Sequence, residues 1–192
     1  MLTIAFFHGW AFDNRFFNKL KQHLKGFNFI DFERGYFGKK SQNLTKKVDI
    51  VITHSMGLWH FLDSGIEADK IFSICGFKTF CINCKQKSIV QKMLDKISIK
   101  NIDVLTKFLE NTGTKLGFKS VDFDLLASDL NLLKTMDYSE KIVKLEDKII
   151  FINAKNDKIV YNKPDSIFEL NCGHALGMLK SKEVSEIILS NL

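Results

Sequence analysis

Val48-Asp49-Ile50-Val51-Ile52-Thr53-His54-Ser55-Met56-Gly57-Leu58-Trp59-His60-Phe61-Leu62 is the stretch on which the fold is decided. Val48 to Ile52 is a short, mostly β-branched run, the pattern of a buried strand. The run ends at a serine, and a helix is expected to begin directly after it. A strand that stops on Ser and turns at once into a helix is the geometry of a nucleophile elbow. The serine's backbone is forced close to both elements, so the turn needs small neighbours. Gly57 is one, while Thr53 stands where G-x-S-x-G has its first Gly. An ordinary strand-turn-helix junction with an exposed serine gives the same five residues, so the pentapeptide alone leaves both readings open.

Outward from this point, strands and helices alternate. Leu2 to Phe7 reads as a first strand ending at His8-Gly9-Trp10. Phe16, Phe17, Leu20 and Leu24 recur at helical spacing within Asn14 to Lys25. Phe27 to Phe32 reads as a second strand, Val48 to Ile52 as a third and Ile71 to Cys75 as a fourth. From about Ser88 to Leu133 the pattern is helical throughout. Strands return at Lys148 to Asn153 and Ser166 to Leu170, and Ser181 to Leu192 closes the chain as an amphipathic helix. Such alternation implies an α/β fold, a mostly parallel sheet with helices on both faces. Residues 1–192 read as one domain, with 82–135 a small helical cap inserted after the fourth strand.

Composition narrows the class. The chain has 192 residues, 45% of them hydrophobic, enough for a folded core. No apolar run is long enough to span a bilayer. The first residues carry neither a basic leader nor a small-residue cleavage site, so a cytoplasmic protein is expected. Cys81-Ile-Asn-Cys84 has C-x-x-C spacing, but nothing in the sequence supplies a second ligand pair for zinc. The net charge is +6. Residues 78–120 hold nine lysines against Asp95, Asp103 and Glu110, so that segment carries a surplus equal to the whole chain's. A positive face suits an acidic partner. No Arg-rich helix or stacking motif points to nucleic acid, and a plain solvated Lys-rich surface fits the same counts.

The chemistry sits after the strands. A serine hydroxyl becomes a nucleophile when a His takes its proton, and a carboxylate holds that His. In an open parallel sheet such groups belong on loops at the carboxyl ends of strands. Ser55 ends the third strand. Asp157 follows the Lys148–Asn153 strand, and His174 follows the Ser166–Leu170 strand in Gly173-His174-Ala175. The other candidates are less well placed. His8 is expected to order the loop after the first strand. His54 should point away from the serine, His60 should be structural and His23 exposed. Asp63 and Asp165 are alternative carboxylates. Donors for an oxyanion are expected from the backbone N–H of Met56, at a helix start, and of Trp10.

With these residues in place, the chain resembles the α/β-hydrolase superfamily, and within it the carboxylesterases that demethylate pimeloyl-acyl-carrier-protein methyl ester in biotin synthesis. His8-Gly9-Trp10 is similar to the H-G-W loop of that group, and Gly35 to Ser41 to its P-G-F-G-x-S turn without the Pro. His54 to Gly57 resembles its W-S-L/M-G elbow, and Lys70 to Cys81 the strand and loop that follow. Asp129-Leu-Asn-Leu-Leu-Lys-Thr-Met-Asp137 is similar to its L-x-x-L-K-T-x-D run. Asp157-Lys-Ile-Val160 and Gly173-His-Ala175 match its acid and base positions. The order Ser, Asp, His along the chain is that of the superfamily.

The resemblance implies a serine carboxylesterase acting on the pimeloyl methyl ester carried by acyl carrier protein, with no metal or organic cofactor and a monomeric enzyme. It implies that Lys92, Lys96 and Lys100 dock the acidic carrier. Trp10, Phe77 and Phe80 are expected to line an apolar acyl channel, although aromatics at such spacings also suit plain core. A general acyl esterase or thioesterase would use the same triad. A silent protein that binds an acidic partner would keep the fold without the chemistry.

Overall fold

The computed structural model describes residues 1–41 and 45–192. Six strands form one sheet: β1 (Thr3–Phe7), β2 (Asn28–Phe32), β3 (Lys47–His54), β4 (Glu67–Ile74), β5 (Ile149–Ala154) and β6 (Phe168–Leu170). Their order is β2-β1-β3-β4-β5-β6, and every pairing is parallel. The chain first steps from β1 to β2 and then crosses back to β3. The strand order therefore reverses between β1 and β3, and a crevice opens beyond the carboxyl ends of those two strands.

Alternation along the strands fills both faces. Ala5, Phe7 and Val51 pack to one side with Leu58, Trp59 and Phe61 of α2 (Gly57–Ser64). Ile4, Phe6, Ile50 and Ile52 pack to the other. That second side is covered by Leu20 of a helix that begins as a 3-10 turn (Asn14–Phe17) and continues as Asn18–His23, here α1. Val184 and Ile188 of the closing helix complete the cover.

Three helices, α3 (Cys84–Ser98), α4 (Asp103–Thr112) and α5 (Phe123–Thr135), separate β4 from β5. A short α6 (Ser139–Val143) precedes β5, and α7 (Leu176–Leu179) and α8 (Ser181–Ser190) end the chain. No helix among the described residues is long and apolar enough to cross a membrane. Three strands differ most from the sequence reading, and the first is β4, which begins at Glu67 rather than Ile71. β3 runs on to His54, so Thr53 and His54 belong to the sheet. β6 shrinks to three residues, because Ser166 turns its hydroxyl onto the carbonyl of Phe168 and the ladder starts only there.

Candidate active site

Ser55 follows β3 with φ 54°, left-handed for a residue that is not glycine. Its N–H donates to the carbonyl of Ile74 at 2.9 Å, which ties the turn to the end of β4. Gly57 is required on steric grounds. A Cβ there would lie 2.0 Å from the carbonyl oxygen of Phe7, so α2 starts hard against the end of β1. Thr53 is accommodated differently. Its hydroxyl donates to Ser73 Oγ at 3.2 Å, and the Ser73 hydroxyl fills the space beside Gly76, where a Cβ would sit 2.0 Å away. Thr53 thus meets a small side chain, Ser73 of β4, which in turn lies against Gly76 just beyond the strand.

His174 lies between Ser55 and Asp157. Ser55 Oγ is 3.0 Å from His174 Nε2, and His174 Nδ1 is 2.7 Å from Asp157 Oδ2. All three side chains are buried or nearly so. A carboxylate on Nδ1 fixes the proton there and leaves the Nε2 lone pair facing the hydroxyl. Asp157 Oδ1 accepts the N–H groups of Ile159 (2.7 Å) and Val160 (3.0 Å). Burial pushes the Asp157 carboxyl up. The His174 ring and these two amides outweigh it, and the group ends below the ordinary carboxylate range.

The loop after β1 is a tight turn closed by Phe12 N–H to Gly9 O at 3.2 Å, with Ala11 left-handed at φ 58°. His8 holds it from below, its ring nitrogens reaching Gly9 O at 3.0 Å and Glu33 Oε1 at 2.9 Å. The backbone N–H groups of Trp10 and Met56 have no hydrogen-bond partner among the described residues. Met56 is the N-cap of α2, so its amide carries the favourable helix-dipole field.

A cavity of about 390 Å³ has Ser55 and Trp10 in its wall, with Phe80, Val90, Met93, Phe108, Leu130 and Leu133 among its apolar lining. Lys92, Lys96, Lys107 and Lys158 also border it. Phe80 is thus on the cavity, whereas Phe77 is not. Phe77 is buried against Trp59, 5.1 Å between ring centroids, because the Trp59 indole N–H bonds the Phe77 carbonyl and draws that segment into the core. Lys100 also parts from its companions. It follows the end of α3 in a left-handed conformation (φ 55°) and borders a second, polar depression with Tyr36 and Asp122.

Other candidates have structural surroundings. His60 is half-buried beside Asp129 and Tyr36, and its desolvation there pushes its pKa down to about 3. Asp63 pairs with Lys141 and Tyr138. His23 and Asp165 are exposed. Cys81 and Cys84 are free thiols, the first buried and the second exposed. Among the described residues, the metal-type donors that converge are Cys75, Asp157 and His174, within 4.8 Å of one another. Burial first, and then the Asp157 charge, push the Cys75 thiol up, which keeps it protonated.

Two residues named in the sequence have surroundings that the sequence did not assign to them. Asp129, fully buried on α5, accepts Arg34 Nε and Nη2 at 2.7 and 2.6 Å and the Tyr36 hydroxyl at 2.6 Å. Its position was marked by spacing, since Leu126, Asp129, Leu130 and Leu133 form one helical stripe. His54, in contrast, lies fully buried with its ring near His174, and no local pattern marks that.

The sequence matches no family model and no curated protein. Solved structures are similar along nearly the whole chain. A hydrolase from Oleispira antarctica has a TM-score of 0.72 at 15% identity, covering 100% of this chain and 90% of its own. A thermophilic esterase from Thermogutta terrifontis has a TM-score of 0.71 at 13% identity, covering 99% and 89%. The enol-lactonase from Burkholderia xenovorans LB400 has a TM-score of 0.74 at 11% identity, covering 98% and 90%. The parallel sheet, its helical cover and this likeness together give the chain the α/β-hydrolase fold.

Proposed function

We propose that the protein is a serine carboxylesterase. The observation that carries this reading is the hydrogen-bonded line from Ser55 through His174 to Asp157 at the wall of an apolar cavity. Ser55 Oγ attacks the ester carbonyl as its proton passes to His174 Nε2. The amides of Trp10 and Met56 hold the developing oxyanion. Asp157 stabilises the imidazolium, and His174 then hands the proton to the departing alcohol. Water, activated by the same imidazole, attacks the acyl-enzyme and releases the free acid and Ser55. The solved structures of similar fold that are described as esterases and hydrolases support the reaction class.

The substrate we propose is the methyl ester of pimeloyl-acyl carrier protein, met in the cytoplasm by a monomeric enzyme. The resemblance in the Asp129–Asp137 run supports it, as do the apolar cavity and the lysines on its border. Helices α3 to α5 act as the cap, and Lys92 and Lys96 face the acidic carrier. Lys100, on another depression, contributes less.

Purified protein is expected to hydrolyse short p-nitrophenyl esters and to be labelled by a fluorophosphonate, and Ser55→Ala should lose both. Equal rates for the two proteins would remove the esterase. Complementation of a biotin auxotroph lacking its pimeloyl-ester esterase tests the substrate. Growth supports the carrier-linked ester, and its absence alongside p-nitrophenyl ester turnover leaves a general acyl esterase.

A further inference from the structure

The geometry points to His54 as a positioning residue for the base, acting through the main chain of His174. This inference rests on the reading of Ser55, His174 and Asp157 as a triad. His54 Nε2 lies 3.1 Å from the carbonyl oxygen of His174. A carbonyl only accepts, so Nε2 carries the proton and donates it. The same peptide unit is held on its other side, since Ala175 N–H donates to the carbonyl of Thr112 at 3.2 Å. Two hydrogen bonds, one from the end of β3 and one to the end of α4, therefore fix the backbone that carries the imidazole.

The donor itself is firmly set. The His54 ring is fully buried and stacks on Phe16 at 3.9 Å and 18°, with Phe12 edge-on at 4.9 Å. Its Nδ1 has no hydrogen-bond partner among the described residues and faces Gly9, where an added Cβ would sit 3.1 Å from it. A ring with one bonded nitrogen and one bare nitrogen is held as a single neutral tautomer. Burial first, and then the neighbouring His174, push its pKa well below the ordinary histidine value. Neutrality matters here, because the two rings are 4.9 Å apart and a charged His54 would oppose the imidazolium that forms on His174.

Position in the chain makes the device economical. His54 precedes the nucleophile directly, so one dipeptide sets both partners of the proton transfer. The Ser55 hydroxyl faces the imidazole from one side, and its neighbour anchors the imidazole's backbone. Small displacements of a reacting pair cost rate steeply, so loss of the anchor should appear in turnover and not in substrate affinity.

His54→Phe keeps an aromatic ring on Phe16 and removes the donor. His54→Gln restores an N–H at the Nε2 position. For H54F we expect kcat on a p-nitrophenyl ester to fall at least about tenfold, with KM little changed and slower fluorophosphonate labelling. The low-field proton resonance of the His174–Asp157 hydrogen bond should shift or broaden. H54Q should recover most of kcat and the resonance. His54→Met, unbranched and lacking a donor, makes the same comparison if the H54F thermal melt shows a folding defect. Wild-type kcat and an unmoved resonance in the folded donor-less variant would overturn the inference, as would H54Q behaving no better than that variant. The resonance reports on the imidazole whether or not an ester is the substrate, so failure of the esterase reading, seen in Ser55→Ala, stays distinguishable.

Discussion

Ser55 holds a left-handed φ of 54°, a conformation that costs a non-glycine residue roughly 1–2 kcal/mol. That strain lifts Oγ out of the sheet to meet His174. Asp157 matters equally at this scale, because it selects the imidazole tautomer. Asp157→Asn should keep the fold and lower kcat by on the order of 10,000-fold, measured under saturating p-nitrophenyl ester. The three side chains were legible in the sequence because each follows a strand of a parallel sheet, and loops at those ends share one rim. His54 was not legible in the same way. Its reach to a carbonyl 120 residues away depends on how β3 and the last loop meet, and no spacing in the chain encodes that contact.

At the scale of elements, α5 is tied to the loop after β2 by the buried Asp129 carboxylate. Burial pushes the Asp129 carboxyl up, but Arg34, His60 and Tyr36 outweigh it and hold the group below its ordinary range. Removing one partner of such a pair leaves the other uncompensated. Asp129→Asn should therefore destabilise the protein by about 3 kcal/mol at pH 7, read from urea unfolding. The sign with pH follows from linkage. A carboxyl whose folded pKa lies below its unfolded value of about 3.9 stabilises the fold above that value and loses the contribution as pH falls through the folded pKa. The gap between wild type and D129N should close below about pH 4. The Trp10 indole makes a second tie, donating to the Leu126 carbonyl at 2.9 Å, so the turn after β1 and the cavity wall share one support. Element types and order were plain from periodicity. The lengths of β3, β4 and β6 were not, because strand ends are set by neighbouring ladders and by side chains such as Ser166.

At the scale of the whole molecule, the lysine surplus of residues 78–120 is shared between surfaces. Lys92 and Lys96 border the cavity, while Lys100 does not. Sequence counts gave the charge but not its partition, since the turn after α3 redirects the chain. Charge reversal of Lys92 and Lys96 together should raise KM for a carrier-linked ester and spare a free short ester. Salt should do the same to the wild type, because exposed charges are screened beyond about 8–10 Å at ordinary ionic strength and over shorter distances as salt rises. Parallel loss on both esters would remove the docking role.

The Asp157 loop runs from β5 into β6 and the His174 loop leaves β6, which is three residues long and lies at the margin of the sheet. Their backbones are cross-tied by Lys155 N–H to Leu170 O at 2.8 Å and Asn156 N–H to Cys172 O at 3.0 Å. A short margin strand opens at lower free energy than the strands inside. On slow warming, hydrolysis should therefore fade some degrees before the far-ultraviolet dichroism does, and coincident loss would show the margin to be as firm as the centre. Turnover thus doubles as a gauge of fraying at one border, and a preparation can fall silent while most of its chain is still folded.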